Sequence, residues 1–243
     1  MEKNNQNVNF LSYSNNDNFE EYVLRVISAY RVGYKDKYSE MTLAIDPGNK
    51  CGLMVFLEDY YLNSHCCFEK RDLISKIKIY IQTFQFNNPE LMNLTFKFGR
   101  GVLTITKDLV EHVYRIFDER KNMKILLIDE FKSSKIKIKY KTRERRISKD
   151  EASALILALR DGIEINQENY RTIFNQITSR KVKKEAFKQV DFKITNEKTK
   201  FSEEIAEIAK EILNGNLTLS KASQMVKALK NNRNEILDLE RDY

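Results

Sequence analysis

At 243 residues, 42% hydrophobic, 32% charged and with a net charge of +7, the chain is long enough for one sizeable domain with extensions and apolar enough for a packed core. No apolar run approaches the roughly 18 residues of a membrane span, and the Asn-rich N-terminus lacks the apolar stretch of a secretory signal. Three cysteines (Cys51, Cys66 and Cys67) leave one over from any pairing, which fits a reducing cytoplasm better than a disulfide framework.

Met1 to Asn18 holds seven asparagines and few apolar residues, the composition of a disordered tail. Phe19 to Arg31 spaces Tyr22, Val23, Val26, Ile27 and Tyr30 for a short amphipathic helix. A core then starts near Met41. Thr42 to Ile45 is strand-like, Asp46 to Asn49 a turn, Gly52 to Leu57 a second strand and Tyr60 to Phe68 a third. Helical periodicity runs from Arg71 to Phe84 and from Thr106 to Arg120, with a short strand, Leu94 to Phe98, between them. Lys124 to Ile128 is the next strand. Ser148 to Arg160 is a helix, with Ser148 and Glu151 spaced as a capping box and Gly162 placed to end it.

Three strands, helix, strand, helix, strand, helix predicts an α/β fold: a mixed five-stranded sheet flanked by helices, its opening hairpins antiparallel and its later strands parallel. Phe201 to Leu213 and Leu219 to Leu229 form two further amphipathic helices around Asn214-Gly215-Asn216, a loop longer than a helix-turn-helix reader uses, so a plain helical hairpin is expected. The division is then 1–40 for tail and short helix, 41–165 for the core, and 166–243 for a basic linker and helical hairpin.

Positive charge is concentrated rather than spread. Lys132 to Lys149 holds nine basic residues (Lys132, Lys135, Lys137, Lys139, Lys141, Arg143, Arg145, Arg146 and Lys149) and one acid, Glu144. Such a segment suits a polyanion, with nucleic-acid phosphates the leading candidate; a solvated lysine-rich loop is the plainer alternative. Lys97 and Arg100 lie near one strand end, where phosphate contact and simple snorkelling along Phe96 and Phe98 are equally good readings.

Acids recur where ligands bind in α/β sheets, beyond the carboxyl ends of strands. Asp46 ends the first strand, and Pro47-Gly48 turns the chain without covering it. Asp129 and Glu130 follow the strand KILLI, and Asp150 opens the last core helix, whose next residues are small. Three segments each presenting a carboxylate suit hard Mg²⁺ or Mn²⁺ ions, two of which would support phosphodiester cleavage. Taken singly, each acid is also an ordinary turn, strand-end or helix-start residue. His65-Cys66-Cys67 lacks a partner pair at zinc spacing and reads as strand interior. His112 reads as surface.

The segment IDPG followed by a glycine-containing strand resembles the first strand of RuvC-type Holliday junction resolvases, members of the RNase H-like superfamily. FKFGRG, LIDEFKSS and KDEASALILAL resemble, in order and spacing, later motifs of the YqgF branch. That branch comprises resolvase-like proteins also implicated in pre-ribosomal RNA processing. The resemblance covers Thr42 to Gly162. It implies an RNase H-like core and a two-metal nuclease acting, as a possible homodimer, on branched DNA or structured RNA. The implied catalytic acids are Asp46, Glu130 (or Asp129) and Asp150, with the basic segment, Lys97 and Arg100 on the phosphates. Two departures stand out. The RuvC acid on the fourth strand is absent from Phe96-Lys97-Phe98, and Ser153 stands where RuvC has a second helix aspartate. A degenerate, non-catalytic binder is the alternative these departures raise. IDPGN also resembles the first phosphate loop of actin-like kinases, but no second Gly-rich loop follows Gly101.

Overall fold

The computed structural model describes residues 11–16, 18–86, 88, 90–130, 136, 138, 147–185 and 196–239. The first helix, α1 (Phe19–Arg31), falls where its periodicity places it. The Asn18 side chain caps it, accepting from the N–H groups of Glu20 and Glu21 at 2.9 and 3.3 Å. There follow β1 (Glu40–Asp46), β2 (Cys51–Leu57), β3 (Tyr60–Cys67), α2 (Lys70–Gln85), β4 (Asn93–Gly99), α3 (Leu103–Ile116), β5 (Met123–Ile128), α4 (Lys149–Ala158), β6 (Gly162–Ile165), α5 (Tyr170–Glu185), α6 (Asn196–Leu213) and α7 (Leu219–Leu239).

The strands form one sheet in the order β3-β2-β1-β4-β5-β6. β1, β2 and β3 pair antiparallel, β4 joins β1 and β5 joins β4 in parallel, and β6 closes the edge antiparallel to β5. The sheet therefore has six strands, correcting the expected five. Gly162, expected to end α4, instead opens the sixth: a side chain there would strike the backbone of Leu127. Residues 166–200, expected as linker, contain α5, which buries Tyr170, Phe174 and Ile177. Among the described residues no helix is long and apolar enough to cross a membrane.

Strand alternation divides the interior into two layers. One face carries Leu43, Ile45, Leu53, Phe96, Phe98 and Leu127 against α2, α3 and α5. The other carries Ala44, Met54 and Phe56 with α4, α6 and α7, joined by Ile136 and Ile138. Every residue of α4 from Glu151 to Ala158 is buried. Between β2 and β3, Glu58 and Asp59 both adopt positive φ (51° and 71°), the left-handed pair that a two-residue hairpin demands and that glycine or asparagine usually fills. The Glu58 carboxylate accepts from Ser39, Glu40 and Lys35. Asp59 reaches the C-terminal hairpin: its carboxylate accepts from the N–H and hydroxyl of Ser220, each at 3.0 Å, and its carbonyl from the N–H of Leu219 at 2.8 Å. A core turn thus caps α7.

Candidate carboxylate site

Asp46 is the last residue of β1, with β2 on one side and β4 on the other. Its partner on β2 is Gly52, whose own partner on β3 is Cys66; on the far side the register runs to Ile45 beside Phe98, the residue before Gly99 of β4. Glycines thus stand on both neighbouring strands near Asp46, and each makes room for something. A side chain at Gly52 would collide with the backbone of Asp150 and Glu151. One at Gly99 or Gly101 would collide with the carboxylate of Glu130. The first turn of α4 therefore settles over β2, the Glu130 side chain over the end of β4, and Asp46 lies between them.

The start of α4 is fixed by the expected capping box. Ser148 Oγ accepts from the Glu151 N–H at 3.2 Å, and Glu151 Oε2 accepts from the Ser148 N–H at 2.9 Å. Glu151, only 2% exposed, is consumed by this box, and Asp150 is the acid left at the helix start. Its Oδ2 accepts from the Cys66 thiol at 3.6 Å. One turn on, the buried Ser153 hydroxyl lies beside the Asp46 carboxylate and favours its charged form.

The electrostatics follow from this placement. Burial raises the Asp46 pKa to about 7, aided by the negative charges of Glu130 and then Asp150; the Ser153 hydrogen bond and Lys149 act the other way. Asp46, Glu130 and Asp150 are therefore brought to one rim of the sheet. Asp129 is not. Its carboxylate, 62% exposed, accepts from Arg100 Nη2 at 2.7 Å, and its carbonyl from Arg160 Nη1 at 2.6 Å. Glu130 Oε1 accepts from the Gly101 N–H at 2.6 Å.

The expected phosphate-binding residues are distributed otherwise. Arg100 sits at the rim, engaged with Asp129. Lys97 is turned under α4, where its ammonium donates to the Ala158 and Arg160 carbonyls, the latter at 3.1 Å; burial lowers its pKa to about 8. It serves as a cap for the helix C-terminus, which neither sequence reading anticipated. Lys132, Lys135, Lys137, Lys139, Lys141, Arg143, Arg145 and Arg146 lie outside the described residues. Sequence reasoning missed Cys66 as a neighbour of Asp150 and Ser153 as a partner of Asp46. A glycine inside the wholly apolar β2 was the available signal of a close backbone approach.

In kind and charge the three carboxylates fit a divalent cation: they are hard oxygen donors, and their mutual repulsion is what such an ion would relieve. They are not preassembled, since among the described residues no three His, Cys, Asp or Glu side chains converge as a ready-made ligand group. No family model matches the chain, and no curated protein matches it.

Proposed function

We propose that the chain is a metal-dependent nuclease of RNase H-like architecture that cleaves phosphodiester bonds in structured nucleic acid, in the manner of RuvC/YqgF-type resolvases. The observation that carries this reading is Asp46 at the carboxyl end of a central strand, held between Glu130 and Asp150, with its proton affinity raised by burial and then by those two acids. A perturbed carboxylate with other acids beside it at a strand end is where an α/β sheet does chemistry. Glu130 also answers the missing fourth-strand acid: its carboxylate takes the space that side chains at Gly99 and Gly101 would otherwise fill.

In this reading Asp46, Glu130 and Asp150 hold the cation. Mg²⁺ or Mn²⁺, when bound, supplies Lewis acidity toward the phosphate and an acidified water. The protein's own part is positional. Ser153 orients the Asp46 carboxylate, the capping box fixes where Asp150 starts, and the Gly101 N–H steadies Glu130. The basic run beyond Glu130 binds backbone phosphates, with the salt dependence of counterion release. Paired cuts in a four-way junction need two sites and hence a dimer.

The test is cleavage of a four-way DNA junction and of a structured precursor RNA, each with Mg²⁺ or Mn²⁺. Asp46→Asn should abolish the reaction on whichever substrate is cut, and a variant as active as the parent defeats the proposal. The unassembled ligand set favours a second reading, a non-catalytic nucleic-acid binder. Calorimetry showing no Mn²⁺ binding that depends on Asp46 and Asp150 would select it.

A further inference from the structure

A cavity of about 310 Å³ lies between the sheet and α7, at the lower end of the range for small-molecule pockets. It sits toward the start of β1, whereas Asp46 ends that strand. Glu40 and Thr42 of β1 and Lys97 of β4 form its floor. Ser223, Gln224 and Lys227, spaced along one side of α7, form its wall, and Asp59 closes it beside the first turn of that helix.

Two groups of opposite charge line this space without a counter-ion. The Lys97 ammonium gives N–H groups to the Ala158 and Arg160 carbonyls, which leaves one for a further acceptor, and no carboxylate among the described residues pairs with it. Asp161 acts on it from nearby but is paired with Lys227 at 3.0 Å. Glu40 stands beside two further acids, Asp59 and Glu58; Lys35 acts on it but is paired with Glu58 at 2.9 Å. Both charged forms are disfavoured as a result: burial lowers the Lys97 pKa, and burial, then Asp59 and Glu58, raise that of Glu40. The two do not neutralise each other. Lys97 is level with Ala44 and Glu40 with Asn93, which sets their backbones about 13 Å apart along the sheet. A lone anion in the cavity would meet Glu40 and Asp59, and a lone cation would meet Lys97 and Lys227. A molecule with a cation at one end and an anion at the other satisfies both. None of the lining residues is aromatic, so stacking on a ring has no part in recognition.

We infer that this cavity binds a small zwitterion whose ammonium and carboxylate are separated by a chain of several carbons, the ammonium at Glu40 and the carboxylate at Lys97. Thr42, Ser223 and Gln224 supply hydroxyl and amide groups along the way. Such a ligand touches β1, β4 and α7 together, so its binding adds to the hold that Asp59 already has on the C-terminal helices. The inference is independent of the nuclease reading and concerns the other end of the sheet.

The experiment is titration calorimetry of the full chain in EDTA with four probes. 6-Aminohexanoate carries both charges at a distance, hexylamine and hexanoate carry one each, and glycine carries both side by side. 6-Aminohexanoate should bind roughly ten-fold more tightly than any of the other three and should raise the melting temperature. Glu40→Gln keeps the side chain's shape and removes its charge. It should weaken 6-aminohexanoate roughly ten-fold without lowering the melting temperature of the free protein, since it also removes repulsion from Asp59 and Glu58. Ser223→Leu, which fills the cavity from α7, should abolish binding. No binding of 6-aminohexanoate at millimolar concentration overturns the site, and so does a Ser223→Leu variant that binds it like the parent. Hexylamine or hexanoate binding as tightly, or a Glu40→Gln variant with unchanged affinity, overturns the zwitterion. Glycine binding as tightly overturns the separation of charges.

Discussion

The face of the sheet that packs α2, α3 and α5 and the face that packs α4, α6 and α7 bury their apolar groups differently. The first is filled with large side chains: Phe96 and Phe98 lie stacked, 6.1 Å apart, with Phe117 at 6.0 Å from Phe96. Its helices turn a polar side to water. The second face carries Ala44 and the run Ala152-Ser153-Ala154, and there α4 comes close enough to the strands for its backbone to rest on Gly52. The lesson is that bulk supplies cohesion on one side, while on the other small residues position a helix start beside Asp46. The site lies on the thin side.

The strongest way to break this comparison is Phe96→Ala. Removing a fully buried ring from the thick layer should cost about 3–5 kcal/mol in urea unfolding while leaving the Asp46 neighbourhood intact. A cost near zero would show that the layer is not tightly packed. The counterpart on the thin side is Gly52→Ala. Its added methyl meets the Asp150 carbonyl, so α4 must shift, and about 1–3 kcal/mol should be lost. Mn²⁺ affinity should fall with it, whereas Phe96→Ala should not alter that affinity in the folded fraction.

A third experiment uses pH. Asp46 titrates near 3.8 when unfolded and at about 7 in the fold, so between those values the native state holds the extra proton. Stability of the metal-free protein should therefore fall as pH rises from about 4 through 7. Asp46→Asn should flatten that slope and raise the melting temperature at pH 8, a gain on the order of 1–2 kcal/mol once solvent screening is discounted. A variant less stable than the parent at pH 8 would contradict the electrostatic account. The smallest effect belongs to Ser148→Ala, which removes one half of the capping box for about 1 kcal/mol; Ser148→Asp should restore most of it.

The legible parts of the molecule share a cause. α1 and α2, with one wet side, show their period directly, and α4 announced its start through Ser148 and Glu151 although its buried length has little amphipathic contrast. β6 stayed hidden because Gly-Ile-Glu-Ile at a sheet edge offers only two apolar positions, one of them exposed. α5 stayed hidden because it is strongly polar around the buried Tyr170, Phe174 and Ile177. Among the acids, residue type and strand-end position marked Asp46, Asp150 and the Asp129-Glu130 pair. The choice within the pair was unreadable. It depends on Arg100 taking Asp129, a contact between segments 29 residues apart.

The Glu58-Asp59 turn has a consequence for how the chain can be divided. Two residues without glycine's freedom hold a left-handed bend, and Asp59 spends its carboxylate on the first turn of α7. The C-terminal helices are therefore fastened to the β2–β3 hairpin, at the end away from the acids. Cutting the chain ahead of residue 196 would release that latch and strip Ile205, Ile208 and Ile212 from the layer they share with Ala154 and Ile156. The shortened protein should self-associate, so the smallest workable unit for biochemistry includes both closing helices.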